Sequence, residues 1–275
     1  MSDVTEAHLN GEHLYGEEFT TEQLRRWYEQ EETGYFDLLT NHYGVADSDG
    51  EYEYEYDALN YRHAIKRLSR QRFSCCVALG CAAGGDVSPL APFVDRFVAI
   101  EPAEKWWRQE IGGKPALYLK PSFLGDIDLK TGSADLATSF GVLHHIPNVS
   151  HVVGEIARVL RPCGLFAVRE PISWMGDWRG PRPGLTQNER GMPMAWFERV
   201  ACERGFEIVQ RRLCMMNPLA TIVKKLGVTR PFAIPSVVAV DWLLSEMLGW
   251  NSHYRRDRLL QKIAPSSAFW IFRRL

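Results

Sequence analysis

The 275-residue sequence has no apolar run approaching the roughly 20 residues that a membrane-spanning helix requires. An integral helical membrane protein is therefore not expected. It has no Cys-x-x-Cys pair and no His-rich neighbourhood: Cys75, Cys76, Cys81, Cys163, Cys202 and Cys214 suit neither a zinc site nor a disulfide framework, and reduced thiols in a cytosolic protein are the expectation. No secretory leader is expected, because "MSDVTEAHLNGEHLYGEEF" is polar and acidic where a leader is basic and then apolar. No cluster of carboxylates and amides suggests a Mg²⁺ site, so no metal is expected. Repeats and low-complexity tracts are absent. With 32 Lys and Arg against 34 Asp and Glu, net charge is only −2. Nothing in it demands nucleic acid, and no basic patch interleaved with aromatics is present.

What is present is an ordinary globular composition, 45% hydrophobic and 24% charged, distributed unevenly. Up to Asp57 there are 16 acidic residues and two basic ones, Arg25 and Arg26; from Glu203 onward there are 12 basic and five acidic. The two ends are expected to lie together and partly neutralise, with an acidic lid over a cationic or hydroxyl-rich substrate as the alternative. Residues 1–70 read as an acidic lid: a capped helix in "TTEQLRRWYEQEETGYFDLL", a polar loop in "EYEYEYD", and a helix in "ALNYRHAIKRLSRQ". Residues 71–275 then alternate. Strands are expected at 73–80, 96–101, "PALYLKP", 134–140 and 164–171. Helices are expected from Gly84 to about Phe93, over "PAEKWWRQEI" and over Val149–Leu160. The helix "MAWFERVACERG", the strand "FEIVQR", an insertion over 213–266 and the strand "SAFWIFRRL" complete the chain. Short buried strands separated by helices predict an α/β fold, a mostly parallel sheet with helices on both faces.

In such a sheet the ligand lies beyond the carboxyl ends of the strands, beside the first strand-to-helix turn. That turn is "VALGCAAGG", Val77–Gly85, where Gly80, Ala82, Gly84 and Gly85 leave the backbone bare enough for close approach. Ala82 is acceptable there provided its φ stays negative. About twenty residues on, Glu101 closes the second strand, where its carboxylate can accept both hydroxyls of a ribose. Asp126, in "LGDIDL", falls within reach of an adenine amino group. Turn and carboxylate indicate an adenosine-type ligand, and NAD satisfies both features.

"SADLATSFGVLHHIPNVSHVVGEIARVLRPCGLFAVREP" separates these options. Ser133–Asp135, Phe140–Ile146, the run Glu155, Arg158 and Leu160, and Arg161-Pro162-Cys163-Gly164 resemble class I S-adenosylmethionine-dependent methyltransferases, in particular the type 11 group typified by ubiquinone and menaquinone methyltransferases. The resemblance covers about 73–171. It implies a Rossmann-like seven-stranded sheet whose last strand is antiparallel, and S-adenosylmethionine as cofactor. It also implies that Gly80, Cys81, Ala82 and Gly84 line the methionine and ribose portions and that Glu101, with Pro102 beside it, grips the ribose diol. Asp126 and the Ile127 amide would read the adenine, and Phe140, Gly141 and His145 would flank the sulfonium. Two positions depart from the family: Ala78, where an acid is common, and Ala82, where glycine is.

His144 and His145, ending the fourth strand, are candidates for the general base, and Glu170, ending the fifth, is another. Trp174, Trp178 and Arg182, in the loop 171–193, are candidates to stack on and grip a substrate ring. The expected reaction is O-methylation of a small-molecule or glycan hydroxyl, as part of biosynthesis. The alternatives are methylation of a lipid-linked quinone or sugar, and S-adenosylmethionine binding without catalysis. "PSVVAVDWLLSEMLGW", Pro235–Trp250, with basic flanks, suits a membrane surface, a second subunit or the chain's own core.

Overall fold

The computed structural model describes residues 4–41, 54–176, 180, 182 and 184–275, and at 35–41 the backbone alone. The N-terminal segment forms α1 (Glu6–Asn10) and α2 (Thr21–Asn41). Thr20 starts α2 with a reciprocal cap: its N–H donates to Gln23 Oε1 at 2.8 Å, and the Gln23 N–H donates to Thr20 Oγ1 at 3.4 Å. Of "EYEYEYD", residues 51–53 lie outside the described residues, and Tyr54–Tyr56 lead into α3 (Asp57–Asn60). A π-helical turn (Tyr61–Ile65) and α4 (Lys66–Leu68) follow.

The strands are β1 (Cys76–Leu79), β2 (Phe97–Ile100), β3 (Glu110–Ile111), β4 (Lys114–Leu119), β5 (Ala134–Phe140), β6 (Leu160–Pro171), β7 (Phe206–Met216) and β8 (Pro265–Arg274), in one sheet ordered β3-β4-β2-β1-β5-β6-β8-β7. β4, β2, β1, β5 and β6 are mutually parallel, and β8 inserts antiparallel between β6 and β7. β1, β2 and β5 are buried at every residue, which is why they read as continuous apolar runs rather than alternating ones. Successive residues feed two cores: Val77 and Leu79 pack on one face, Cys76 and Ala78 on the other. On the first face lie α5 (Val149–Val159) and α6 (Met194–Glu203). The α5 stripe Val149, Val152, Val153 and Ile156 is buried at helical spacing.

Four expectations are corrected. The segment after the glycine turn is a 3₁₀ helix (Ser88–Phe93) rather than an α-helix from Gly84, because Pro89 and Pro92 remove the N–H groups that α-helical bonds need. "PAEKWWRQEI" holds a single 3₁₀ turn (Glu104–Trp106) and then β3, which Gly112 and Gly113, both at positive φ, fold back onto β4. The sheet consequently has eight strands instead of seven, the extra one being two-residue β3. Finally, β7 runs to Met216, beyond "FEIVQR".

The insertion carries α7 (Asn217–Lys225) and α8 (Pro235–Leu248). Buried Asp241 of α8 accepts the Met215 and Met216 N–H groups at 2.9 and 2.7 Å, tying α8 to the end of β7. Val240, Leu243, Met247 and Trp250 are exposed, and no helix among the described residues is long and apolar enough to cross a membrane. Between the acidic and basic ends, the ion pair present among the described residues is Glu6–Arg255 at 3.8 Å. Of the described part of the acidic segment, α2 reaches the carboxyl end of β5, where the Trp27 indole N–H donates to the His145 carbonyl at 2.7 Å.

Candidate functional site

The strand order reverses on either side of β1, and a crevice opens there beyond β1, β2 and β5. The turn after β1 is tightly constrained. Gly80 has φ +59°, and a Cβ on it would lie 2.6 Å from the Val142 side chain; Gly84 has φ +86°, with Ile111 at 2.7 Å. Ala82 has φ +47°, so the expected negative φ is corrected. A left-handed alanine costs about 1–2 kcal/mol, and two bonds hold it. Its N–H donates to Glu101 Oε2 at 2.9 Å, and its carbonyl accepts the Tyr118 hydroxyl at 2.9 Å. Glu101 is buried, and its Oε1 accepts the Ala103 N–H at 3.0 Å. Burial pushes its carboxyl upward, against the two N–H bonds.

The crevice encloses about 1150 Å³, its open mouth included. Gly80, Glu101, Pro102, Asp126, Ile127, Gly141 and His145 all line it. Ile100, Phe123, Val142, Ile146 and Val152 give it apolar walls, and Trp27, Tyr28, Glu31 and Glu32 of α2 close one side. Cys81, Ala82, Gly84 and Phe140 lie behind this lining: the Cys81 thiol is buried and raised well above its usual range, and Phe140 packs on Phe269. The Ile127 amide is committed elsewhere, donating to Glu155 Oε2 at 3.0 Å, which corrects its expected role toward a purine. Asp126 Oδ1 pairs with His151 Nε2 at 2.8 Å.

His144 and His145 are set by a 3₁₀ turn (Leu143–His145) that Glu170 caps from β6. Glu170 Oε1 accepts the Val142 and Leu143 N–H groups at 3.0 and 2.9 Å, and its Oε2 lies 2.7 Å from His144 Nδ1. Both Glu170 oxygens are thus engaged, and neither Glu170 nor His144 lines the crevice. Arg190, fully buried, clamps the turn from the other side through the His144, Ile146 and Pro147 carbonyls, and burial pushes its guanidinium down to about 10.

His145 does face the crevice. Its Nδ1 lies 2.7 Å from Glu31 Oε2, its Nε2 3.9 Å from Glu189 Oε1, and its carbonyl accepts the Trp27 indole N–H at 2.7 Å. Burial pushes His145 down, but the hydrogen bond and charge of Glu31, with Glu189 and Glu170 behind, outweigh it and leave the imidazole raised. Glu31 is held low: against its burial stand the His145 bond and charge, the Thr186 hydroxyl at 2.7 Å and the Asn188 N–H at 3.1 Å. His144 goes the other way, lowered by burial and by the neighbouring imidazole. His144, His145 and Glu189 also bring three ligand atoms within 4.8 Å of one another, a metal-compatible spacing that sequence order hides.

Trp174 and Arg182 lie away from the crevice lining. Trp174 donates to the Gly176 carbonyl, and Arg182 ties its own loop through the Met175, Thr186 and Gln187 carbonyls. Trp178 lies outside the described residues. Sequence reasoning missed Glu31, Thr186 and Glu189. One signal for Glu31 was present: with Leu24 and Trp27 it forms a stripe at helical spacing, and a carboxylate in an apolar stripe asks for a partner.

Residues 77–168 match the family model described as a methyltransferase domain. A Streptomyces fradiae protein described as an uncharacterized 37.1 kDa protein in transposon TN4556 is 30% identical over 106 residues, which is 36% of this chain and 29% of that protein. The chain therefore aligns with less than a third of the relative's length. Among solved structures, the [4+2]-cyclase SpnF has a TM-score of 0.59 at 15% identity, over 89% of this chain and 96% of that one. A Bacillus halodurans protein assigned as a methyltransferase has a TM-score of 0.51 at 15% identity, over 77% and 98%. A Galdieria sulphuraria protein assigned as a sarcosine dimethylglycine methyltransferase has 0.50 at 19%, over 76% and 82%. At these identities the likeness is one of fold, and a fold hosts more than one chemistry. Set in this strand order, residues 77–168 match a methyltransferase domain, on a fold shared with these structures.

Proposed function

We propose that the chain transfers a methyl group from S-adenosylmethionine to a hydroxyl of a small-molecule or glycan acceptor, with His145 accepting the proton. The carrying observation is that Glu101, Asp126 and His145 line one crevice while buried Glu31 holds His145 Nδ1 at 2.7 Å. The donor set suits the cofactor. Each Glu101 oxygen accepts one N–H in the protein and keeps a lone pair for a diol hydroxyl. Ile100, Phe123 and Val152 offer the apolar walls a purine needs, with Asp126 beside them.

When bound, the sulfonium supplies an electrophilic methyl for in-line displacement. The chain's own residues orient the acceptor, exclude water and take its proton. With Nδ1–H directed at Glu31, the neutral imidazole presents Nε2 as base, and the carboxylate stabilises the imidazolium that forms. Glu170 and Arg190 hold the turn from which His145 projects and are positioning residues.

The test is transfer of labelled methyl from the donor to a panel of hydroxyl compounds and metabolite extracts. His145→Ala is expected to lower kcat by about 100-fold or more. Wild-type activity rises with pH through a raised imidazole pKa, and Glu31→Gln moves that rise to lower pH. Unchanged turnover in His145→Ala removes the proposed base. Activity lost on chelation and restored by a divalent cation favours a second reading, in which His144, His145 and Glu189 hold an ion that activates the hydroxyl.

A further inference from the structure

We infer that Asp86, Asn60 and Arg169 form the receptor for a zwitterionic α-amino acid group, the methionine end of the methyl donor; this rests on the donor assignment above. The cluster lies on the sheet face of Cys76 and Ala78, immediately behind the crevice. Arg169 donates to the Phe140 carbonyl at 3.2 Å, and a Cβ on crevice-lining Gly141 would lie 3.3 Å from its Nη2. Asp86 follows the glycine turn directly, and its charge acts on both Cys76 and Cys81.

All three side chains are buried, and each leaves a polar atom without a partner: Asp86 Oδ1, Asn60 Oδ1 and Arg169 Nη1. Two acceptors and one charged donor are thus unsatisfied in one place. Buried polar atoms are rarely left so, because each costs its full desolvation. Tyr54 links them, its hydroxyl 2.9 Å from Asn60 Nδ2 and 3.3 Å from Arg169 Nη2. Asp86 and Arg169 feel each other's charge and yet form no ion pair with one another. An ammonium fits Asp86 and Asn60 Oδ1, and a carboxylate fits Arg169 Nη1. Ala78, on the same face, offers the ammonium nothing, and Asp86 supplies the missing charge eight residues later.

The experiment is calorimetric binding of S-adenosylhomocysteine and of 5′-methylthioadenosine, which shares the adenosine and the sulfur but lacks the amino acid end. Wild-type protein is expected to prefer S-adenosylhomocysteine by about 50-fold or more, two charge-assisted contacts being worth that much. Asp86→Asn and Arg169→Gln are each expected to cut the preference about tenfold, weakening S-adenosylhomocysteine while leaving 5′-methylthioadenosine within about twofold. Retained 5′-methylthioadenosine binding certifies that a variant is folded; should Arg169→Gln fail to fold, near-isosteric Asp86→Asn decides. If wild-type protein binds both compounds and Asp86→Asn keeps the full preference, the cluster holds only internal water and the inference falls alone. If wild-type protein binds neither, the donor assignment falls with it.

Discussion

Asp86 carries an electrostatic cost that its surroundings do not offset in the ligand-free protein. Burial pushes its carboxyl from 3.8 up to about 7, and the Arg169 charge and nearby backbone N–H groups only temper the shift. A raised carboxyl has a definite sign in linkage. As pH rises from about 4 to 7 the unfolded chain releases this proton while the folded chain keeps it, so the group's contribution to stability falls across that window and levels off above it. Asp86→Asn should therefore leave the ligand-free protein's stability nearly unchanged at pH 4 and raise it at pH 8, by up to about 4 kcal/mol at 1.36 kcal/mol per pH unit. Urea unfolding at the two pH values measures this, and a gain of equal size at both would show that the carboxylate is not the source. Cost in stability at a residue poised for a ligand is the pattern expected of functional sites.

At the scale of elements, the loop from Asp126 to Leu129 is anchored to α5. Arg158 donates to the Leu129 and Ile127 carbonyls at 2.6 and 2.7 Å, while Glu155 accepts the Ile127 N–H and pairs with Arg158 at 2.7 Å. None of these α5 side chains lines the crevice, yet they fix the wall that Asp126 and Ile127 present to it. Arg158→Ala is expected to weaken S-adenosylhomocysteine binding about tenfold and to speed amide exchange at Ile127, with the sheet's protection unchanged. Unaltered exchange at Ile127 would refute this anchoring. The same elements show what was legible in the sequence. β1, β2, β5, β6 and α5 announce themselves because burial on both faces or along one stripe imposes a pattern of apolar residues, and Glu101 stands out by its place directly after β2. Pro89 and Pro92 carry the signal for the 3₁₀ helix at Ser88–Phe93, since neither has an N–H to donate. Pairings across sequence were not. Glu31 meets His145 across 114 residues and Thr186 across 155, and no local spacing encodes either meeting. The Ile127 amide was misassigned for a related reason: a motif names the residue, and only three-dimensional packing says which partner, Glu155, its N–H finds.

Across the whole molecule, the described acids of the N-terminal segment divide, with Glu31 and Glu32 at the crevice and Glu6 paired with Arg255 of the basic C-terminal end. Glu31 and Glu32 of α2 join Glu101 and Asp126 around the opening, against the nearby cation Lys120, 3.4 Å from Glu32. The field at the mouth is consequently negative. S-adenosylmethionine carries a sulfonium and an ammonium against one carboxylate, whereas S-adenosylhomocysteine has lost the sulfonium charge, so the field favours substrate over product. Glu32 and Asp126 are substantially solvent-exposed, and their share of the preference must be screened by salt. A preference of about tenfold at 0.01 M salt, where the Debye length is about 30 Å, is expected to shrink to about threefold at 1 M, where it is about 3 Å. The double substitution Glu32→Gln with Asp126→Asn should bring the low-salt ratio close to the high-salt one. Paired titrations of the two ligands measure it. A ratio indifferent to salt and to the double substitution would mean that discrimination arises from contacts at the sulfur alone, and that the acidic segment shapes the crevice without charging it.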